Sequence, residues 1–596
     1  MTVANKRAAA DRPAPTAAPA LQWALPATSD ADCRDNFLLG IWQPAGPLRA
    51  TFLAAPNRPI ASMRGENWLV ASAVSTLHQP ARSLVHGDAR GCVAFRGYVL
   101  EPPLHSYSDP AAIVDYWRTR AEHQHNGLFS AAVIDPQSGA LSLFTDFFGM
   151  SPLYWRKLGD SIAFSTNPRY LSTAADSPDL YAWHELIQLG FISSDRSLSR
   201  EIHRLPAGHR LRADANGPVV DAWFRFDSLP AGERPVDAHS AAEVEATFRA
   251  AMERCERLQG LRTILPLSSG HDSRRILTAL LADGVAFDAI TARVFQKEHR
   301  DLDAPYAAEM ARDFGFAHRI VEPAPPAQFA EDDARRTACV DAETMMHTWA
   351  LRLFDALPSE PCLLYDGILG DILGNPGFRV PDLYRSPEED IQIILRECFG
   401  TRFKGHLDSD VWPTQEALRE DVRGYLRQWL PRPNLAEFAF ILLRQRRMTA
   451  LWTQQLLPPG HVAVCPFADL EYVRLLFDFE PADKHRTVFQ RRCLEEFWPQ
   501  FARYPGNRDI PSTLPPGSPQ LDQAQMVAAR KRYSSALRTS GKFGELAALL
   551  TLRGRIELFA GEVSDTAFLR SAWYVSPLTE MVLRRTVSCI RPSTAD

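Results

Sequence analysis

Residues 267–275 read LSSGHDSRR, and they follow the apolar run RTILP at 262–266. A turn of small residues between a strand and a helix lets backbone N–H groups close on an anion, and the helix it opens adds the positive end of its dipole. The stretch has no Gly-Lys-Ser/Thr, so it is not the usual nucleoside-triphosphate loop. Asp272 stands where a phosphate would be repelled unless a metal ion lay between them. Ser268, Ser269, Gly270 and Ser273 offer close approach and hydroxyl donors, and Asp272 offers a Mg²⁺ ligand. An ordinary turn with a helix N-cap uses the same residue types, because Asp and Ser are favoured at helix starts. Spacing alone leaves both readings open.

Around this stretch the pattern alternates between strand and helix: TILPL, DSRRILTALLADG, FDAITARVF, LDAPYAAEMARDFG, HRIVE. Gly284 and Gly315 fall where helix C-terminal glycines belong. Upstream, SAAEVEATFRAAMERCERL sets Val244, Phe248, Met252 and Cys255 on one helical stripe, and Ser240 with Glu243 reads as a capping box. The alternation predicts a parallel, doubly wound sheet with its ligand at the C-terminal strand ends, where LSSGHDS lies. Beyond residue 325 the chain reads mostly helical except for the short strand in CLLYDGI.

Before residue 212 the texture differs. NFLLGIW, CVAFRGYVL, FSAAVID, LSLFTDFF and SIAFST are short β-like runs between turns, with one helix near PAAIVDYWRTRAE. The region from Gly208 to His239, with NGP and LPAGERP, reads as a connection, and PSTLPPGSP at 511–519 as a late loop. A chain of 596 residues needs more than one core. The net charge of −5 argues against a nucleic-acid or anionic-membrane surface, and no apolar run reaches a bilayer-spanning length. Residues 1–32 are rich in Ala and Pro without an apolar core, which reads as a disordered leader. Nine scattered Cys with no CxxC pair fit reduced thiols in a cytoplasm.

A second segment, YDGILGDILGN at 365–375, also follows a short apolar strand and puts Asp371 in a Gly-rich turn. With it the chain resembles the asparagine synthetase family. SSGHDS is similar to that family's SGGxDS loop, and DGILGD to its SGxGxD segment. FRGYVLE at 95–101 resembles FNGEIYN, DFFGMSPLYW at 146–155 resembles DxxGxxPLYY, and FSTNPRYL at 164–171 resembles FASExKAL. IHRLPAGHRL at 202–211 matches the segment that ends the family's first domain, and CPFADLEYV at 465–473 resembles VPFLDxxLV.

The resemblance implies an α+β, Ntn-hydrolase-like (class II glutamine amidotransferase-like) domain over 33–212, a linker over 213–238 and an α/β ATP-pyrophosphatase domain with many helices over 239–596. It implies ATP and Mg²⁺ as cofactors, with Asp272 and Asp371 as metal carboxylates. Leu267, Ser268, Ser269, Gly270, Asp272, Ser273, Val294, Asp366 and Gly367 are then the nucleotide contacts.

The departures narrow the function. Glutamine-using members open with a catalytic Cys whose own amine assists the thiol. This chain begins Met-Thr-Val, Cys33 does not open a Cys-Gly-Ile segment, and Arg96 replaces the Asn of the glutamine-binding segment. The first domain therefore reads as a glutaminase scaffold without that activity. Ile368 stands where asparagine-forming members carry Glu and β-lactam synthetases carry Tyr, and it does no acid–base work. FARYPGNRDIPS holds Arg503 and Arg508 where the family has a catalytic Lys; an Arg supplies charge but not a base. Ser269 replaces a middle Gly, which requires a negative φ there.

The resemblance then points to an intramolecular amine, as in the macrolactam synthetases of lasso peptide biosynthesis. The substrate would be a leaderless precursor peptide and a leader protease a possible partner, with no nucleic acid and no membrane span. An asparagine synthetase using ammonia or glutamine, or another β-lactam-synthetase-like ligase, is the alternative. His271, at the variable loop position, reads as solvent-facing. Met345, Met346 and His347 read as helical packing, and RQRRM at 444–448 as a solvated helix face or a site entry.

Overall fold

The computed structural model describes residues 21–24, 35–53, 59–120, 123–293, 303–374, 383, 386–398, 405–427, 432–505, 521–563, 576–584 and 589–592.

The first half stacks two antiparallel sheets. One runs Gly217–Ala222, His209–Asp214, Leu141–Thr145, Phe129–Ile134, Gly91–Leu100, Val85–Asp88; the other runs His203–Arg204, Tyr154–Leu158, Ser161–Ser165, Leu38–Trp42, Trp68–Ser75, Ile60–Arg64. Alternate side chains of each strand face opposite ways. Trp68 and Val70 join Trp42 and Phe164 against Ala132, Leu143 and Leu211 of the facing sheet. Leu69 and Ala71 point outward, yet they too are covered. Helix Pro110–Thr119 lays Ile113, Tyr116 and Trp117 on the outer face of the first sheet. With both faces buried, the strands read as nearly continuous apolar runs rather than alternating ones.

The outer face of the second sheet is covered by a small sheet with strand order Ile590–Pro592, Leu21–Ala24, Ala50–Leu53. This corrects the disordered leader over 1–32: four of those residues form a strand and bury Trp23. Four residues carry no period, and their partners lie far away in sequence. The linker over 213–238 is corrected as well. Gly217–Ala222 pairs along its length with His209–Asp214 as an edge strand. The Asn216-Gly217 dipeptide is a hairpin signal, but the exposed Val219 and Val220 hide the strand's pattern.

The second half is built on five parallel strands: β1 (Arg262–Pro266), β2 (Phe287–Ala292), β3 (Ala317–Val321), β4 (Cys362–Tyr365) and β5 (Val462–Val464). Their spatial order is β3-β2-β1-β4-β5. The sequence reading contained β1 to β4 and missed β5, whose three residues are too few to show a pattern. Helix α1 (Ser240–Glu256) buries the expected stripe of Val244, Phe248, Met252 and Cys255. Its capping box does not form: the Ser240 hydroxyl bonds Asp237, and Glu243 pairs with Arg234. Helices α2 (His271–Ala282) and α3 (Asp303–Phe314) end at Gly284 and Gly315, whose φ values of 64° and 73° only glycine adopts readily.

Candidate functional site

Strand order reverses between β1 and β4, because β2 continues the sheet on one side of β1 and β4 begins the other side. A crevice opens at such a point, where the loops leaving neighbouring strands diverge. The parallel register pairs Ile264 with Leu364, so Pro266 and Asp366 leave the sheet side by side two residues later. The two motif loops therefore meet, although about a hundred residues separate them in sequence.

They line a cavity of about 520 Å³, whose walls include Leu267, Ser268, Gly270, Asp272, Ser273, Asp366, Gly367 and Asp371. Inside the first loop, the Ser268 amide donates to Ser273 Oγ at 3.1 Å and the Gly270 amide to Ser268 Oγ at 3.1 Å. The N-cap of helix α2 is Gly270, which has no side chain to cap it. The N-cap reading of Asp272 and Ser273 thus fails. Ser269 turns away: its amide and hydroxyl both donate to Asp303 Oδ1 at 2.8 Å. Ser269 is not among the residues with positive φ, as its replacement of a glycine required.

The glycines of the second loop exist for Asp272. A Cβ on Gly370 would lie 2.6 Å from Asp272 Cγ, and one on Gly367 3.2 Å from Asp272 Cβ. Asp371 follows directly, and Gln445 Nε2 donates to its Oδ1 at 3.5 Å. Leu369, at the fourth position of the SGxGxD pattern, has φ of 72°, the left-handed backbone that a glycine there would accept without strain. Asp366 is buried, with Oδ1 accepting the Ile368 amide and Oδ2 the Thr453 hydroxyl. Burial pushes its carboxyl up to about 7, against the pull of those two hydrogen bonds.

Behind the loops, Arg274 and Arg275 of the quoted stretch are buried. Arg274 donates to the carbonyls of Phe501 and Tyr504. Arg275 pairs with Glu245 at 2.8 Å and donates to Gln490 Oε1, while Gln490 Nε2 donates to the Gly370 carbonyl. One hydrogen-bond chain thus ties α1, α2 and the second loop together.

Several expected residues sit elsewhere. Arg503 is not among the cavity's lining residues; it pairs with Asp313 at 2.6 Å on an exposed face and bonds the Tyr504 hydroxyl. Val294, Arg508 and Cys33 lie outside the described residues. The lining also includes Asp303, His347, Arg444 and Gln445, which lie outside the two motifs. Asp303 opens α3. His347, expected in a helix, lies outside any helix, at φ of 66°. Arg444 and Gln445 line the cavity from the π-helical segment Phe440–Thr449, where the Ala450 amide reaches back five residues to the Gln445 carbonyl. The RQRRM run is no solvated face. Arg446 and Arg447 are fully buried, Arg446 on Asp195 at 2.5 Å and Arg447 on the carbonyls of Ile192 and Arg196.

In the first half, Arg96 lies buried in the strand Gly91–Leu100, with Nη1 lacking a hydrogen-bond partner. Burial pulls its guanidinium down to about 10, opposed by Tyr107 and Asp35. Asp146 of the DFFGMSPLYW segment accepts from the amides of Phe148, Met150 and Ser151 and holds that turn. Among the described residues no helix is long and apolar enough to cross a membrane.

A family model described as a glutamine amidotransferase domain matches residues 102–224. Comparison with curated proteins gives no match. Among solved structures, a glutamine phosphoribosylpyrophosphate amidotransferase from B. subtilis, complexed with ADP and GMP, is similar at 10% identity. The match covers 49% of this chain and 82% of that one, with a TM-score of 0.21. A structure described as the allosteric regulatory enzyme of purine biosynthesis gives 10% identity, coverage of 49% and 81%, and a TM-score of 0.20. Scores that low carry no argument, and the family match stands on its own: the N-terminal half contains a glutamine amidotransferase-type domain.

Proposed function

We propose that this chain is an asparagine-synthetase-like, ATP-dependent carbon–nitrogen ligase, and that it closes a macrolactam ring in a leaderless peptide as lasso peptide cyclases do. The observation that carries the reading is the meeting of Asp272 and Asp371 in one cavity, at the point where strand order reverses. Around them lie a hydroxyl- and glycine-lined loop and the start of α2, the arrangement that suits a pyrophosphate. The cavity volume, about 520 Å³, is in the range of small-molecule sites.

The donor set fits magnesium. Asp272 and Asp371 both line the cavity. Mg²⁺ commonly takes one or two carboxylates and completes its shell with water and phosphate oxygens. Held there, it would offset the charge of the departing pyrophosphate.

The chain's own groups do the rest. Ser268, Gly270 and Ser273 cradle the phosphates while a substrate carboxylate oxygen attacks the α-phosphorus and pyrophosphate leaves. The substrate's amine nitrogen then attacks the activated carbonyl, the C–O bond to AMP breaks, and the nitrogen loses a proton. Holding amine and carbonyl in one cavity supplies much of that second step. The buried Arg96 in the glutamine-binding segment supports an amine that arrives with the substrate, not one released from glutamine.

The test is mass spectrometry of the full chain with ATP, Mg²⁺ and the leaderless peptide. A product lighter by one water, with AMP and pyrophosphate and a bond from the α-amine to an Asp or Glu side chain, is the expected result. Asparagine from aspartate plus ammonium, with the peptide left linear, would replace this reading with the asparagine synthetase one.

A further inference from the structure

The described lining of the cavity contains four carboxylates, Asp272, Asp303, Asp366 and Asp371, and a single guanidinium, Arg444. Asp303 is occupied with the first loop. A carboxylate entering such a cavity meets an acidic field, and metal-bound phosphates do not relieve it. It needs a cation of its own.

Arg444 is that cation, and its place is built. The π-helical turn sends Arg446 and Arg447 into the first half of the chain and leaves Arg444, Gln445 and Met448 on the cavity. The Arg444 guanidinium lies 4.9 Å from the centre of the Phe440 ring. Gln445, its neighbour, reaches Asp371.

His347 is the second, independent observation. It lines the same cavity, its Nε2 is buried without a hydrogen-bond partner, and its backbone is left-handed. A buried polar nitrogen without a partner costs stability, as does left-handed backbone at a non-glycine residue. Both features fall on one residue of the cavity wall. Burial, and then Arg444 and Arg336, pull the imidazole down to about 4, so at neutral pH it is an uncharged donor or acceptor.

We propose that Arg444 and His347 form the subsite for the acyl donor's carboxylate, the guanidinium pairing with its charge and His347 Nε2–H donating a further hydrogen bond. A planar guanidinium suits a carboxylate through two parallel N–H···O bonds. The phosphate loop lies on β1 and α2, so the carboxylate and the nucleotide approach from different elements. This inference rests on the ligase reading given under Proposed function.

The experiment is substrate-dependent ATP–pyrophosphate exchange by the full chain, with the leaderless peptide and, separately, free aspartate as acyl donors. Whichever donor supports exchange is titrated in wild type, Arg444→Gln, Arg444→Lys and His347→Gly. We expect Arg444→Gln and His347→Gly each to raise the donor's KM about 10-fold or more, and KM for ATP to stay within about twofold. Arg444→Lys keeps the charge but loses the fork, and falls between. Glycine accepts the φ of residue 347, so His347→Gly should melt no lower than wild type while its donor KM rises. If Arg444→Gln does not fold, Arg444→Lys and His347→Gly decide. An unchanged donor KM overturns the proposal. So does a rise in the KM for ATP instead, which would make the pair a phosphate contact. No exchange by wild type with either donor removes the ligase reading, and this inference falls with it.

Discussion

The two halves of the molecule hold their motif carboxylates in opposite ways. In the antiparallel half, Asp146 is sealed: three backbone amides point at it and no solvent reaches it. Burial pushes its carboxyl up to about 6 against those hydrogen bonds. In the parallel half, Asp272, Asp366 and Asp371 all border one open cavity. The first arrangement is saturated and holds a turn. The second places carboxylates on the wall of a space where a ligand fits. Motif residues can thus be kept for architecture in one half and for chemistry in the other.

The strongest break in that comparison comes from the open side. Asp272→Ala and Asp371→Ala should each cut substrate-dependent pyrophosphate release by about 1,000-fold or more. Thermal melting should stay near wild type, because both side chains are partly exposed. Full activity in either variant removes the shared metal site.

The sealed side should respond in stability instead. Asp146→Ala leaves three buried amides without an acceptor, at a cost of about 2–4 kcal/mol. Chemical denaturation measures that loss. Activity per folded molecule should be unchanged, and a selective loss of activity would give Asp146 a role beyond the turn.

A smaller effect tests Asp366, which is buried like Asp146 but borders the cavity. Its folded value of about 7 lies above the ordinary 3.8, so the fold disfavours the ionised form. Its contribution is complete below pH 3.8 and lost as pH rises through about 7. Asp366→Asn should therefore match wild type in melting temperature near pH 4 and exceed it at pH 8. Equal melting temperatures at both pH values would mean that the carboxylate is solvated.

The smallest expected effect is none. With Arg96 buried in the first half, glutamine should not be turned over, and Cys33→Ala should leave product formation as it is. Glutamate release that disappears with Cys33 would make the first half an active glutaminase and dissolve the contrast between the halves.

The strand–turn–helix around LSSGHDS, the Asp371 loop, the stripe on α1 and the glycine stops at 284 and 315 were legible, because each depends on a few adjacent residues. Leu369 was legible too, as a departure from the glycine at the fourth position of SGxGxD. The strand Gly217–Ala222 was half legible, announced by Asn216-Gly217 but hidden by its exposed valines. Arg503 was misplaced because its partner Asp313 lies on another helix, and nothing near either residue announces the pair.

The sequence by itself determined the local periods, the turn chemistry and the residue types that suit a phosphate and a divalent cation. These follow from backbone sterics and side-chain chemistry within a few positions. Only the tertiary structure decided that β1 and β4 are neighbours, so that Asp272 and Asp371 share a cavity. It also decided that Leu21–Ala24 pairs with Ile590–Pro592, and that one π-helical turn parts Arg444 from Arg446 and Arg447. Strand pairing and buried ion pairs join groups far apart along the chain. Which partner each finds depends on what the rest of the fold leaves within reach.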